Sequence, residues 1–167
     1  MTSADPFDQR AKPHPELASL AFLLGTWRGN GAGEYPTLRP FDYVEELRFE
    51  HVGDPFLLYA QRSFARDGGA PLHFERGFLR PGGAGSVEAT MASPLGLTEI
   101  AHGLVDGSTL ELATDVGSVL RTHTGSAVTG VARRYRVDGD VMRYTLDMSM
   151  DSTPMNLHLT GELRRVA

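Results

Sequence analysis

Beyond Gly25 the chain is cut at intervals of about ten residues by clusters of Gly, Pro, Asp and Ser, and between the cuts apolar residues recur with a period of two. That pattern is incompatible with helices, because a strand puts successive side chains on opposite faces and a helix does not. The segments 26–32, 42–51, 56–65, 72–80, 85–92, 96–104, 108–115, 117–123, 127–137, 140–150 and 155–165 read as strands. Turns are expected at Gly53-Asp54-Pro55, Asp67-Gly68-Gly69, Pro81-Gly82-Gly83, Asp106-Gly107 and Asp138-Gly139, the last two as two-residue hairpin signals. The alternation is clearest over 141–150, with Met142, Tyr144, Leu146, Met148 and Met150 on one face and Arg143, Thr145, Asp147 and Ser149 on the other. Ten or so strands without a second helix make too large a sheet to stay open, and closure removes its edges. The expected fold is all-β: an antiparallel, closed barrel of about ten strands, large enough to enclose a cavity.

Residues 1–13 are polar, aperiodic and contain Pro6 and Pro13, so they read as a disordered leader to a single barrel domain over 14–167. From Pro13 to Leu24 the apolar positions 17, 20, 21 and 24 have the spacing of one helix face, with Gly25 as the stop. This short helix is expected to act as a lid or plug. The longest apolar run, Leu20 to Leu24, is too short for a membrane span or a signal-peptide core. A formal net charge of -5 and scattered basic residues argue against nucleic acid. Lys12 is the one lysine, so an anionic ligand group must be met by arginine or a neutral donor. With no cysteine, disulfides, thiolate chemistry, Cys-ligated metals and covalent c-type haem are excluded. A cytoplasmic location is expected.

Glycines at 25, 29, 31 and 33 surround Trp27, the only tryptophan, on the first strand. Gly29, Gly31 and Gly33 share one strand face, where a backbone, a helix or a flat ligand can approach. They serve equally well as points of curvature on a barrel-closing strand whose Trp27 plugs the bottom. With no helix following, the segment is not a dinucleotide loop. The histidines at 14, 51, 73, 102, 123 and 158 form no zinc-like cluster, yet one imidazole suffices for a haem iron, to which the porphyrin brings four ligands. Strict alternation puts His158 with Asn156, Thr160 and Glu162 on a solvated face, opposite Leu157, Leu159 and Leu163, although Pro154 leaves the register open. Glu45, Glu46, Glu75 and Glu99 read as solvated strand-face carboxylates without acid–base spacing. Arg133-Arg134-Tyr135-Arg136 and Arg143-Tyr144 can either bind a fatty-acid carboxylate or hydrate the outer face.

Gly25-Thr26-Trp27-Arg28-Gly29-Asn30-Gly31, followed by Tyr35-Pro36-Thr37 and Phe41-x-Tyr43-x-Glu45-Glu46, resembles the nitrobindin family, haem-binding barrels related in architecture to fatty-acid-binding proteins. The resemblance continues through His51-Val52-Gly53-x-Pro55-Phe56, Pro71-Leu72-His73, Gly77-x-Leu79-Arg80, Gly96-x-Thr98-Glu99 and Pro154-Met155-x-x-His158-Leu159, over about residues 15–165. It implies a ten-stranded barrel with haem b near the open end, His158 as axial iron ligand and Thr37 beside the haem. It further implies nitric oxide binding and isomerisation of peroxynitrite to nitrate on ferric haem, with an open apolar distal side, no distal base and no second histidine able to replace His158. A homodimer is the expected assembly. One departure stands out: haem-binding relatives carry Ala-Lys-Glu-Val where this chain has Gly125-Ser126-Ala127-Val128, and Lys12 in the leader cannot substitute. The alternative expectation is a haem-free barrel, like a fatty-acid-binding protein, that holds a small apolar ligand without catalysis.

Overall fold

Ten strands, each antiparallel to its neighbours in sequence, close into a barrel where β1 meets β10. They are β1 Gly25–Tyr35, β2 Leu38–Glu50, β3 Leu57–Ala65, β4 Pro71–Gly83, β5 Ser86–Ser93, β6 Leu97–Asp106, β7 Thr109–Arg121, β8 Val128–Asp138, β9 Val141–Met150 and β10 Thr153–Arg165. This computed structural model describes residues 12–167, so the expected leader over 1–13 lies almost wholly outside the described residues. The all-β, closed, ten-stranded architecture is the one the alternation implied.

Three local readings change. The expected strands 108–115 and 117–123 are one strand, β7, because Gly117 with φ +82° kinks the chain instead of reversing it. The register against β6 slips over that stretch, between Glu99 and Ala101. Pro81-Gly82-Gly83 is the end of β4 and not a turn; the reversal falls at Ala84 and Gly85, whose φ values of 50° and 79° are those of a twist-matched two-residue hairpin. The other two hairpins turn at Gly107-Ser108 and Gly139-Asp140, one residue later than the Asp-Gly pairs suggest.

The helix over Pro15–Leu23 is a 3₁₀ helix. Its buried residues are Leu17, Leu20 and Leu23, three apart, as a helix with three residues per turn requires. Ala21, expected on the apolar face, is exposed for the same reason. The helix plugs one end of the barrel. Trp27, fully buried, donates its indole N–H to the Leu23 carbonyl at 2.7 Å. The Arg165 guanidinium lies 4.0 Å from the Trp27 ring centroid and donates to the carbonyls of Phe22 and Leu24, tying β10 to the plug.

The glycine face of β1 holds the chain's own atoms. A Cβ at Gly29 would strike the β10 backbone at Glu162 and Leu163. At Gly31 and Gly33 it would strike the rings of Tyr43 and Phe41, which are their register partners on β2. The glycines therefore let β1 close on β10 and let two aromatic side chains fold inward.

Candidate functional site

The end opposite the plug is where the hairpins β1–β2, β3–β4, β5–β6, β7–β8 and β9–β10 gather. It holds a cavity of about 380 Å³, walled by Leu38, Phe41, Leu97, Val128, Val131, Leu146, Met148 and Leu159, with His158, His73 and a buried polar layer. The inward positions of successive strands supply the apolar wall: Val131 on β8, Leu146 and Met148 on β9, Leu159 on β10.

His158 reaches this cavity through a β-bulge. Leu157 pairs with Asp147 and Leu159 with Leu146, leaving His158 without a partner of its own on β9. A second slip between Thr153 and Asn156 surrounds Pro154, which has no N–H for the ladder. Two residues opposite one bend the strand and turn a side chain that alternation would send outward. The expectation that His158 shares a solvated face with Thr160 and Glu162 is thus overturned by the bulge. The ring is then fixed from three sides. Its Nδ1–H donates to the Glu34 carbonyl at 3.0 Å, and Tyr35 and Phe41 pack edge-on at centroid distances of 5.4 and 6.3 Å. Because a carbonyl can only accept, Nδ1 carries the proton and Nε2 keeps a lone pair. Burial lowers the imidazole pKa, against the opposing pull of the Glu34 carbonyl, so the ring is neutral at neutral pH. Such a nitrogen is a ready metal ligand, oriented by a backbone acceptor behind it.

Thr37 is exposed in the Pro36-Thr37 turn between β1 and β2, next to Leu38 and Arg39, which border the cavity. Gly25, Trp27, Gly29 and Gly31 belong to the plugged end and the β1–β10 seam, away from the cavity. Ser126 is half-buried just before β8, and its N–H donates to the Leu95 carbonyl at 3.0 Å beside the mouth.

Beneath the apolar mouth lies a charged layer that the sequence reading missed. Glu45, Glu75 and Glu99 are not solvated carboxylates; each is almost wholly buried. Arg133, equally buried, donates to Glu99 at 2.6 Å and to Glu75 at 2.9 Å. Burial opposes the charge on Glu75, but Arg133 and His73 outweigh it and hold the carboxyl below its usual range. Burial likewise opposes the Arg133 charge, and Glu75 and Glu99 more than compensate. Glu45 lacks such a cation: burial pushes its pKa up to about 7, against hydrogen bonds from Tyr144 and Gln61. Gln61 bridges Glu45 to the Tyr59 hydroxyl, at 2.7 and 2.8 Å, and Tyr43 and Tyr144 share a hydroxyl hydrogen bond of 2.6 Å. A usable signal existed: each of these polar residues sits in phase with inward apolar ones, as Glu45 does with Tyr43, Leu47 and Phe49, and Arg133 with Val131 and Tyr135.

Glu46, by contrast, points out of the barrel, gripped by Arg28, Arg48 and Arg62. Arg143 lies outside with Glu162, while Arg133 points inside but is consumed by two carboxylates. The Arg and Tyr residues of these two segments therefore put no free guanidinium into the cavity for a fatty-acid head group, and the arginine left to such a group is Arg39 at the rim. A second histidine, His73 on β4, lines the same cavity from another wall. Among the described residues no cluster of three or more His, Asp or Glu is placed to hold a metal ion.

Comparison with known proteins bears on this geometry. A sequence-family model described as a THAP4-like, haem-binding β-barrel domain matches residues 16–165. A protein of Mycobacterium avium named peroxynitrite isomerase 2 is 46% identical over 154 residues, covering 91% of this chain and 96% of its own. The peroxynitrite isomerase of Nocardia farcinica is also 46% identical over 154 residues, covering 91% of this chain and 92% of its own. The crystal structure of Rv2717c from Mycobacterium tuberculosis superposes with a TM-score of 0.88 at 45% identity, covering 93% of this chain and all of that one.

Proposed function

Since this chain belongs to the THAP4-like haem-binding β-barrel family, the nitrobindin family that its Gly-x-Trp-x-Gly-x-Gly motif resembles, we propose that it holds haem b in the open-end cavity on His158 and isomerises peroxynitrite to nitrate. The observation that carries the reading is His158 itself: a neutral imidazole turned to the cavity by a bulge, its Nδ1–H spent on Glu34 and its Nε2 lone pair free for iron. The rest of the cavity fits a porphyrin: apolar walls for the macrocycle and, at the rim, Arg39 as a guanidinium within reach of its carboxylates. Relatives with this barrel at 46% identity carry the isomerase name, and nitric oxide binding is part of the same proposal.

Bound ferric haem supplies a Lewis-acid iron for nitric oxide and peroxynitrite. The residues of the chain do three things around it. His158 would hold the iron, its ring direction set by the Glu34 carbonyl. Leu38, Leu97, Val128, Val131 and Met148 keep water from the porphyrin faces. Arg39 and the Pro36-Thr37 turn stand at the mouth, where the charged edge of the group meets solvent. Adding ferric haem to the purified protein should give a stoichiometric Soret titration and nitrate as the product from peroxynitrite. His158→Ala should lose both with an unchanged circular dichroism spectrum. A variant that titrates like wild type would remove His158 from the site.

The fatty-acid reading loses ground at the same residues. A carboxylate entering the barrel would meet Glu75 and Glu99 already occupying Arg133.

A further inference from the structure

Two imidazoles border the cavity, and their surroundings prepare them for opposite work. His158 stands on β10 and His73 on β4, with β1, β2 and β3 between them on one side of the barrel and β5 to β9 on the other, so they face each other from opposed walls. His158 donates its Nδ1–H to the Glu34 carbonyl and offers the Nε2 lone pair. His73 has its Nε2 turned toward the Glu75 carboxylate at 3.7 Å, too far for a hydrogen bond. That Nε2 is buried without a partner. Two neighbours in the same cavity wall repeat the pattern: Glu75 Oε1 and Arg133 Nε are also buried and unpaired, although each residue's other atoms are ion-paired. Buried polar atoms are nearly always satisfied, and three orphans in one cavity wall mark a place built for a polar guest.

We propose that His73, backed by Glu75 and Arg133, is a second ligand-facing residue of this cavity, donating a hydrogen bond from Nε2 to an oxygen of the small nitrogen oxide bound opposite His158. The proposal rests on the haem reading above. Its chemistry follows from the orphan set. His73 Nε2–H and Arg133 Nε–H are donors and suit the oxygen of a guest of few atoms, while Glu75 Oε1 can only accept and serves to orient the donors and not to hold the guest. Arg133 alone does not make an anion site, because Glu75 and Glu99 cancel its charge. The discriminating contact is therefore the His73 donor, which Glu75 orients without holding it. This adds a polar pole to a pocket whose distal side the family resemblance leaves apolar.

The test uses the ferric holoprotein and sodium nitrite as a stable nitrogen oxide probe. His73→Leu and His73→Gln should take up haem as wild type does, read by the Soret titration. His73→Leu should weaken nitrite binding roughly tenfold, the loss of one hydrogen bond to a charged group. His73→Gln, which keeps an N–H at similar reach, should recover most of it. In the ferrous carbonyl complex the C–O stretch should rise for the leucine variant and stay near wild type for the glutamine one. Unchanged nitrite affinity and C–O stretch in His73→Leu overturn the proposal while leaving the haem reading intact. Equal losses in both variants overturn it as well, because they report packing and not a donor. Loss of haem uptake in His73→Leu would make His73 an iron ligand instead. A wild-type protein that takes up no haem overturns both readings together.

Discussion

The plugged end and the open end of the barrel are built by the same ten strands with opposite solutions to the same problem. At the plugged end the inward positions are mainly apolar, the 3₁₀ helix inserts Leu17, Leu20 and Leu23, the Trp27 indole N–H and the Arg165 guanidinium are paired with carbonyls of that helix and its end, and one buried atom, His51 Nδ1 just after β2, has no partner. At the open end the inward positions include four buried ionisable residues, and several of their polar atoms have no partner. Close packing gives stability, while unfilled hydrogen-bonding capacity costs stability and is retained where a ligand supplies the missing contacts. The difference teaches where each kind of mutation will act: at the plug it should move stability and spare the ligand, and at the mouth it should move the ligand and pH response more than the fold.

The largest effect is expected at the plug. Trp27→Ala removes a fully buried ring together with its hydrogen bond to Leu23 and the Arg165 guanidinium stacked on it. A loss of about 4 kcal/mol is expected, in the range for deleting a buried aromatic side chain. Denaturant unfolding measures it, and a change below about 1 kcal/mol would contradict the description of this end as the stability core. Where the variant still folds, its haem titration should match wild type.

A smaller effect, visible only through pH, is expected in the charged layer. Glu45 has a folded-state pKa of about 7 against 4.5 for an ordinary glutamate, because burial disfavours its charge. The folded chain therefore binds this proton more tightly than the unfolded one. The stabilisation is complete below about 4.5 and fades as pH rises to 7. Glu45→Gln mimics the protonated form, keeps an acceptor for the 2.7 Å bond from Gln61, and should be more stable than wild type at pH 8 by up to about 3 kcal/mol. Near pH 4 the two should be nearly equal. A constant difference across that range, measured by unfolding at a series of pH values, would show that burial does not raise the Glu45 pKa above its unfolded value.

The contrast between the ends also decides what could be read from the sequence. Period-two alternation and the Gly-rich turns give the closed all-β barrel, and the lone tryptophan beside a leucine-rich helix gives the plug, because both rest on local patterns. The helix type was misread because i, i+3, i+4 spacing and i, i+3, i+6 spacing differ only at Ala21 and Leu23. His158 was found through family resemblance and not through alternation, since a single-residue bulge reverses a side chain without leaving a compositional trace apart from Pro154. Glu45, Glu75 and Glu99 are misplaced by the presumption that charge faces water, and for Arg133 the pattern leaves inside and outside equally open. Their phase with buried neighbours pointed inward, but the pairing that makes burial tolerable joins β4, β6 and β8, and that is visible only once the barrel has closed.

The smallest effect concerns Ser126, where the family resemblance leads to the expectation of a lysine. Ser126 precedes β8 at the mouth, two residues before Val128, which lines the cavity, and its side chain makes no hydrogen bond among the described residues. Its backbone N–H is spent on Leu95, so a new side chain need not disturb the loop. A lysine there would place an ammonium near the charged edge of a bound porphyrin, adding to Arg39 at the rim, since Arg121 beside it is paired with Asp151 and Arg133 with Glu75 and Glu99. One charge-assisted hydrogen bond contributes about 1.5 kcal/mol, so Ser126→Lys should tighten haem binding roughly tenfold. Unfolding of the haem-free protein should not change, because nothing buried is touched. Competition for haem against a reference acceptor of known affinity, run at low and high salt, measures the gain and should show it shrinking as salt rises. If the variant gains nothing at low salt, the missing lysine does not set haem affinity in this chain. The apolar wall and His158 would then account for it, and the open end would resemble the plugged one more closely than the comparison drawn above allows.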